Sequence, residues 1–203
     1  MSLEIAYHRL SPGLAIWQRY DHTVKADLFA TKLSTEAGVY LIDPFSLPPN
    51  TMADLCADER VTGVVITNDN HHRAAADFAA QFDVPIYAHR GASGERVGPQ
   101  LRELGDGTVI APGFQAITID GAASGEIALH VEAEGGTLIL GDALINMGSF
   151  GFNFLPAKYC QDSKLMRQSL RKLLDYPCKR ILFSHGTPIV SKAQSRLAAL
   201  LAP

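Results

Sequence analysis

The chain has 203 residues, 47% of them apolar, with 18 basic and 21 acidic side chains and a net charge of −3. That length supports one domain with a substantial core, expected over residues 1–203, and leaves little for a second independent one. With no basic stripe or patch, the composition excludes the electrostatic footprint of a nucleic-acid or anionic-membrane binder, and the expected partner is a small-molecule substrate or anion, with a homodimer left open.

The first ten residues, "MSLEIAYHRL", lack a basic region followed by an apolar one. No apolar run approaches the roughly 18 residues that span a bilayer, so the expected location is cytoplasmic. Cys56, Cys160 and Cys178 show no CxxC spacing and read as thiols rather than a disulfide framework or zinc knuckle.

In chain order, strand patterns run over residues 3–7, 14–19, 26–33 and 38–44, separated by turn signals such as "SPG" and "DHT". A short helix is expected over 52–57, an apolar strand over 63–67, a helix over 72–82 and a strand over 84–89, an alternation typical of βαβ units. "GASGERVG" reads as loop. Strand patterns then cover 108–110, 115–119, 126–131 and 137–140, the last three as antiparallel sheet. Residues 141–160 read as irregular, followed by a helix over 163–174, a strand over 180–184 and a helix over 191–201. Two runs of strands, each ending in βα units, predict two sheets packed face to face with helices outside, a four-layer αββα sandwich.

Between the strand ending at Thr67 and the helix after it lies "NDNHHR", Asn68 to Arg73. By itself the cluster suits a helix start, with Asp69 or Asn70 as the cap and the histidines solvated on the first turn. Adjacent histidines cannot both face one ion from one helix face, so at most one of His71 and His72 is a ligand. His8, His22, His89 and His130 lie in strands or turns without partner spacing and read as structural, although His22 in "YDHTVK" could line a cleft.

Several segments in order resemble the metallo-β-lactamase fold superfamily: "LIDP" at 41–44, the strand ending at Thr67 with its polar cluster, "IDGAASGEIALHV" at 119–131, "LILGDAL" at 138–144 and "ILFSHGTPI" at 181–189. The resemblance spans most of the chain. It implies an αββα sandwich with metal at one edge, ligated by an HxHxDH motif, a histidine in a PGHTxG-like turn, the Asp of a GD and a late HG histidine. On that pattern Asp142 is the GD aspartate and His185 the HG histidine, whereas Ala122 stands where the turn histidine belongs. In one register HxHxDH falls on "NDNHHR", with Asn68 and Asn70 replacing histidines, His72 the aspartate and Arg73 the last histidine. In the other, a shorter loop makes His71 the last histidine and puts Asn70 in the aspartate position.

The three-histidine site that the resemblance implies cannot form in either register, because carboxamide oxygen is a poor partner for zinc beside imidazole and a methyl group cannot coordinate. What the resemblance leaves is a degenerate centre with at most one divalent ion, zinc, manganese or iron, held by Asp142, His185 and either His71 or His72. Asp69, Asp142 and His185 are the catalytic candidates, with Asp69 or Asn70 orienting water. Such an ion would act as a Lewis acid and acidify water for attack on an ester, amide or phosphoester. Arg73 argues for the alternative, in which no metal binds. A guanidinium about 6 Å from a divalent ion is repelled by roughly 5 kcal/mol at an effective dielectric of about 20. Arg73 then pairs with Asp142, and with His185 it binds a carboxylate or phosphate in a non-catalytic protein. A third option is a structural or dimerisation role with a vestigial cleft. The segment "NMGSFGFNFLPAKY", 146–159, follows Asp142 and is placed to cover the site, with Phe150, Phe152, Asn153, Phe154 and Lys158 as candidate ligand contacts.

Overall fold

The structure is a computed structural model, described for residues 6–48, 59–92 and 100–202. The helix expected over 52–57 and most of "GASGERVG" lie outside the described residues. The first sheet has seven strands in sequence order: β1 (Ala6–Ser11), β2 (Leu14–Asp21), β3 (Ala26–Thr35), β4 (Gly38–Ile42), β5 (Val61–Ile66), β6 (Ile86–His89) and β7 (Leu101–Leu104). Strands β1 to β4 form an antiparallel meander, and β4 to β7 pair in parallel. The second sheet, made from β8 (Val109–Ala111), β9 (Phe114–Thr118), β10 (Ile127–Val131), β11 (Thr137–Leu140) and β14 (Arg180–Phe183), has the order β14-β11-β10-β9-β8. Its β11 and β14 are parallel. A separate hairpin, β12 (Leu144–Met147) and β13 (Gly151–Phe154), follows β11.

Strand alternation sorts the apolar residues into three layers of core. Between the sheets lie Leu14, Ile16, Phe29, Tyr40, Ile42, Val65, Phe114, Ile127, Leu129, Ile139 and Leu182. On the outer face of the first sheet, Val39, Leu41, Val64 and Ile66 pack against Phe78 and Ala79 of helix α1 (Ala75–Phe82). On the outer face of the second, Ala128, Leu138, Leu140, Ile181 and Phe183 pack against helix α2 (Ser163–Ser169), the 3-10 turn Leu170–Asp175 and helix α3 (Ala193–Leu201). Both faces of both sheets are covered, which is why the central strands read as continuous apolar runs. The order helix, sheet, sheet, helix is the αββα sandwich expected from the sequence.

Several boundaries depart from expectation. Strand β1 is described over 6–11 and runs past the end expected at residue 7, while the start expected at residue 3 lies outside the described residues; β7 has no counterpart in the sequence pattern. The helix expected over 72–82 starts at Ala75, because Asp69–His71 form a 3-10 turn and Arg73 has φ +40°. The cap is also different: Asn68, not Asp69 or Asn70, accepts the Asn70 amide, and α1 has no side-chain cap. The helix over 163–174 tightens to 3-10 geometry at Leu170 after a regular start, where Asp162 accepts the amides of Lys164 and Leu165, both at 2.9 Å. Part of the stretch read as irregular is the β12–β13 hairpin.

Leu129 is fully buried between the sheets, whereas Val109 at the edge strand is 66% exposed. Leu129→Ala should therefore cost about 2–5 kcal/mol in urea unfolding, and Val109→Ala should stay within about 0.5 kcal/mol of wild type; equal effects would contradict this layer assignment.

Candidate metal centre

The strand ends of β4, β5, β11 and β14 meet at one edge of the sandwich. There the sheets are joined directly by Phe29 N–H to Ser184 O at 3.0 Å and Ile127 N–H to Thr67 O at 2.8 Å. Asp43, immediately after β4, is 1% exposed. Its Oδ1 accepts the Thr67 amide at 2.8 Å, and its Oδ2 accepts the Thr67 hydroxyl at 2.5 Å and the Ser184 hydroxyl. Nδ1 of His71 lies 3.0 Å from Asp43 Oδ2 and 2.9 Å from Thr67 Oγ1. Since the Thr67 hydroxyl proton is already given to Asp43, the proton of this contact sits on Nδ1, and Nε2 of His71 faces the opposite way.

That Nε2 is 3.2 Å from Asp142 Oδ1, and it is buried without a well-aligned hydrogen-bond partner. His185, two residues after β14, presents its own Nε2 to the same oxygen at 3.5 Å while its Nδ1 donates to the carbonyl of Asp27 at 3.3 Å. Ligand atoms of His71, Asp142 and His185 all lie within 4.8 Å of one another. Bonds of about 2.0–2.1 Å to a tetrahedral ion put ligand atoms roughly 3.3 Å apart. The 3.2 and 3.5 Å contacts match that edge, and both imidazoles have Nδ1 held by an acceptor, the usual second layer behind a metal-binding histidine. The three residues fit one divalent ion.

Charges in the cluster compensate. Burial would raise the Asp43 carboxyl, but the His71 and Arg73 cations hold it at about 2. Asp142 is likewise kept well below the usual carboxylate range, its burial outweighed by His71 and His185. His71 is opposed by burial yet raised to about 9 by Asp142 and Asp43, while burial beside His71 lowers His185 to about 4.

The remaining candidates fall in different places. Asn70 Nδ2 reaches Asp142 Oδ2 at 3.3 Å, and Asn68 is buried and turned to Glu126 Oε2 at 2.7 Å. His72 points away from the trio and pairs with the half-exposed Asp69 at 3.1 Å, so neither joins it. Arg73 does not pair with Asp142 as the anion-binding alternative required; its Nη1 donates to the carbonyls of Phe29 at 2.6 Å and Asp43 at 2.9 Å. Phe152 packs edge-on against Phe183 at 5.6 Å within the outer core, and Lys158 lies exposed over the Tyr159 ring. Ala122 is fully buried in that same outer core. Of the histidines read as structural, His130 donates to Pro177 O at 2.9 Å, and His22 packs against Tyr20 rather than lining the site. Sequence reasoning assigns no role to Asp43, Thr67, Ser184 or Glu126. Asp43, Glu126 and Ser184 stand in the quoted "LIDP", "IDGAASGEIALHV" and "ILFSHGTPI" and Thr67 ends the strand before the cluster, but nothing in the local pattern marks their side chains as part of the site.

A family model described as the metallo-beta-lactamase superfamily matches residues 6–203. The chain belongs to the metallo-beta-lactamase superfamily. Its fold is shared by a metallo-beta-lactamase from Pontibacter korlensis, 18% identical, TM-score 0.76, covering 98% of this chain and 99% of that one. A metallo-beta-lactamase from Erythrobacter litoralis is 17% identical with a TM-score of 0.74, covering 98% and 96%. A metallo-beta-lactamase family protein from Thermus thermophilus is 20% identical with a TM-score of 0.69, covering 96% and 80%. No curated protein matches the sequence. In this superfamily member the trio sits on loops after β5, β11 and β14, with Asp43 behind it.

Removing the acceptor at the centre of this network leaves several buried donors unpaired. Asp43→Asn should lower the unfolding free energy by about 3–5 kcal/mol in urea titration; a loss below about 1 kcal/mol would show that the network does not depend on it.

Proposed function

We propose that this chain is a hydrolase-like member of the superfamily with a reduced centre, binding one divalent ion through His71, Asp142 and His185 and acting on a small ester, amide or phosphoester. The observation that carries the reading is the buried Nε2 of His71, unaligned with any acceptor and sharing Asp142 Oδ1 with His185 at tetrahedral-edge distances. Two imidazoles and one carboxylate suit zinc and also accommodate manganese or iron, and three protein ligands leave a position for substrate or water. When bound, the ion supplies Lewis acidity to a water or a substrate oxygen.

The residues of the chain do the rest. Asp43 fixes the tautomer and ring plane of His71, and the Asp27 carbonyl does the same for His185. Asn70 holds the second oxygen of Asp142, and it is exposed enough to meet substrate. Arg73 keeps a permanent positive charge behind the site, anchored on two carbonyls rather than on Asp142. Nη1 is spent on these carbonyls while Nη2 is buried without a hydrogen-bond partner, so the metal reading rests on His71 and not on the placement of Arg73.

Protein purified without chelator and incubated with zinc or manganese should carry about one ion per chain by elemental analysis, with anomalous scattering at His71, Asp142 and His185. Alanine at any of the three should weaken binding by about tenfold or more, whereas His72→Ala should leave it unchanged. Absence of stoichiometric metal in both incubations would overturn the reading, and a loss in His72→Ala equal to that in His71→Ala would reassign the ligand.

A further inference from the structure

Asp142, like His185, lies in a bend outside any helix or strand. Residues 141–143 form a bend between β11 and β12, tied to the hairpin through Ala143 O, which accepts the Leu155 amide at 3.1 Å. The amides of Asp142 and Ala143 are both given to one side chain, Glu126, whose Oε1 accepts them at 2.8 and 2.9 Å. Asp142 is 8% exposed, Ala143 1% and Glu126 3%. Buried amides without water need a protein acceptor.

The other oxygen of Glu126 continues the network. Oε2 accepts Asn68 Nδ2 at 2.7 Å, Asn68 Oδ1 accepts the Asn70 amide at 2.9 Å, and Asn70 Nδ2 returns to Asp142 Oδ2 at 3.3 Å. Glu126, Asn68, Asn70 and Asp142 thus close a ring that ties the bend at 141–143 to the turn carrying His71. The packing leaves no slack. A Cβ added at Gly141 would lie 2.7 Å from Glu126 Oε1, 2.8 Å from Thr67 Oγ1 and 3.0 Å from Asn68 Nδ2. Glu126 itself is fixed at the entry to β10, its carbonyl accepting the Ile119 amide at 2.9 Å.

We propose that Glu126 is the positioning residue of the centre, holding the bend from which Asp142 reaches His71 and His185. Its geometric part stands on the hydrogen bonds alone, and its consequence for metal affinity rests on the reading given under Proposed function. Glu126→Gln keeps an oxygen able to accept both amides but sets its NH2 against Asn68 Nδ2, and Glu126→Ala removes the oxygen as well.

The test uses the full chain as wild type, E126A and E126Q, with amide hydrogen exchange read by NMR and zinc affinity by chelator competition. In E126A, exchange at Asp142 and Ala143 should rise by about tenfold or more relative to the β10 amide of Leu129. Zinc affinity should fall by about ten- to hundredfold. E126Q should recover most of the exchange protection at the two amides and part of the zinc affinity. Unchanged exchange at the two amides, unchanged zinc affinity in an E126A that is merely less stable, or an E126Q no better than E126A would each overturn the proposal. Should E126A fail to fold, E126D, whose shorter carboxylate cannot span to both amides, takes its place with the same expectations. If wild type takes up neither zinc nor manganese, the metal reading falls, and exchange alone then decides whether Glu126 holds the bend.

Discussion

The carboxylate of Asp43 is where the two sheets and the candidate centre become one object. It leaves β4 with φ +48° and collects the Thr67 amide and hydroxyl from the neighbouring strand, the Ser184 hydroxyl from the opposite sheet, and Nδ1 of His71 from the turn between them. A charge at 1% exposure is tolerated only when its oxygens are filled, and here four donors fill them. The same arrangement decides which histidine is useful. His71 is drawn inward by Asp43, so its neighbour His72 is turned out to Asp69, and Arg73 adopts the left-handed backbone that ends the turn before α1 begins.

Much of the architecture was legible in the sequence for a plain reason. Strands such as β4, β5, β10 and β14 are buried on both faces, so they appear as uninterrupted apolar runs, and the change from strand runs to strand-helix alternation announces the layers. The departures occur where non-local contacts override local pattern. Strand β7, "LREL", places exposed Arg102 and Glu103 beside β6, and its burial of Leu104 between the sheets depends on that pairing. The β12–β13 hairpin turns through Gly148 and Gly151, both at positive φ, and it is held to the His185 loop by Asn146, which donates to Thr187 O at 2.6 Å and accepts the Thr187 amide at 2.9 Å. A local pattern of Gly and Phe cannot reveal an anchor so far along the chain.

The site was legible in a similarly partial way. Asp142 and His185 stand out because each ends a strand in a short, recognisable sequence. His71 against His72 was not decidable, since adjacent residues on a helical turn point about 100° apart and only a third residue can say which direction is inward. Glu126 was invisible because a single acidic residue before "IALHV" looks like an exposed strand start. Its burial follows from two amides across the molecule that need an acceptor.

If the centre holds metal as proposed, charge sets how much it accommodates. In the protein alone, Asp43 and Asp142 are balanced by His71, raised to about 9 by those carboxylates, and by Arg73; His185, lowered to about 4 by burial, contributes no charge. The proton between His71 and Asp142 and a divalent ion compete for the same narrow space, so one ion replaces one proton and adds one net charge there. A second ion meets no such exchange. It would face Asn68 and Asn70, amides already committed to Glu126 and Asp142, and a guanidinium fixed on the carbonyls of Phe29 and Asp43 that cannot lose its charge. On the proposed one-ion reading the asparagines and the arginine act together, offering no ligands for a second ion and supplying part of the positive charge that the buried carboxylates would otherwise demand from it.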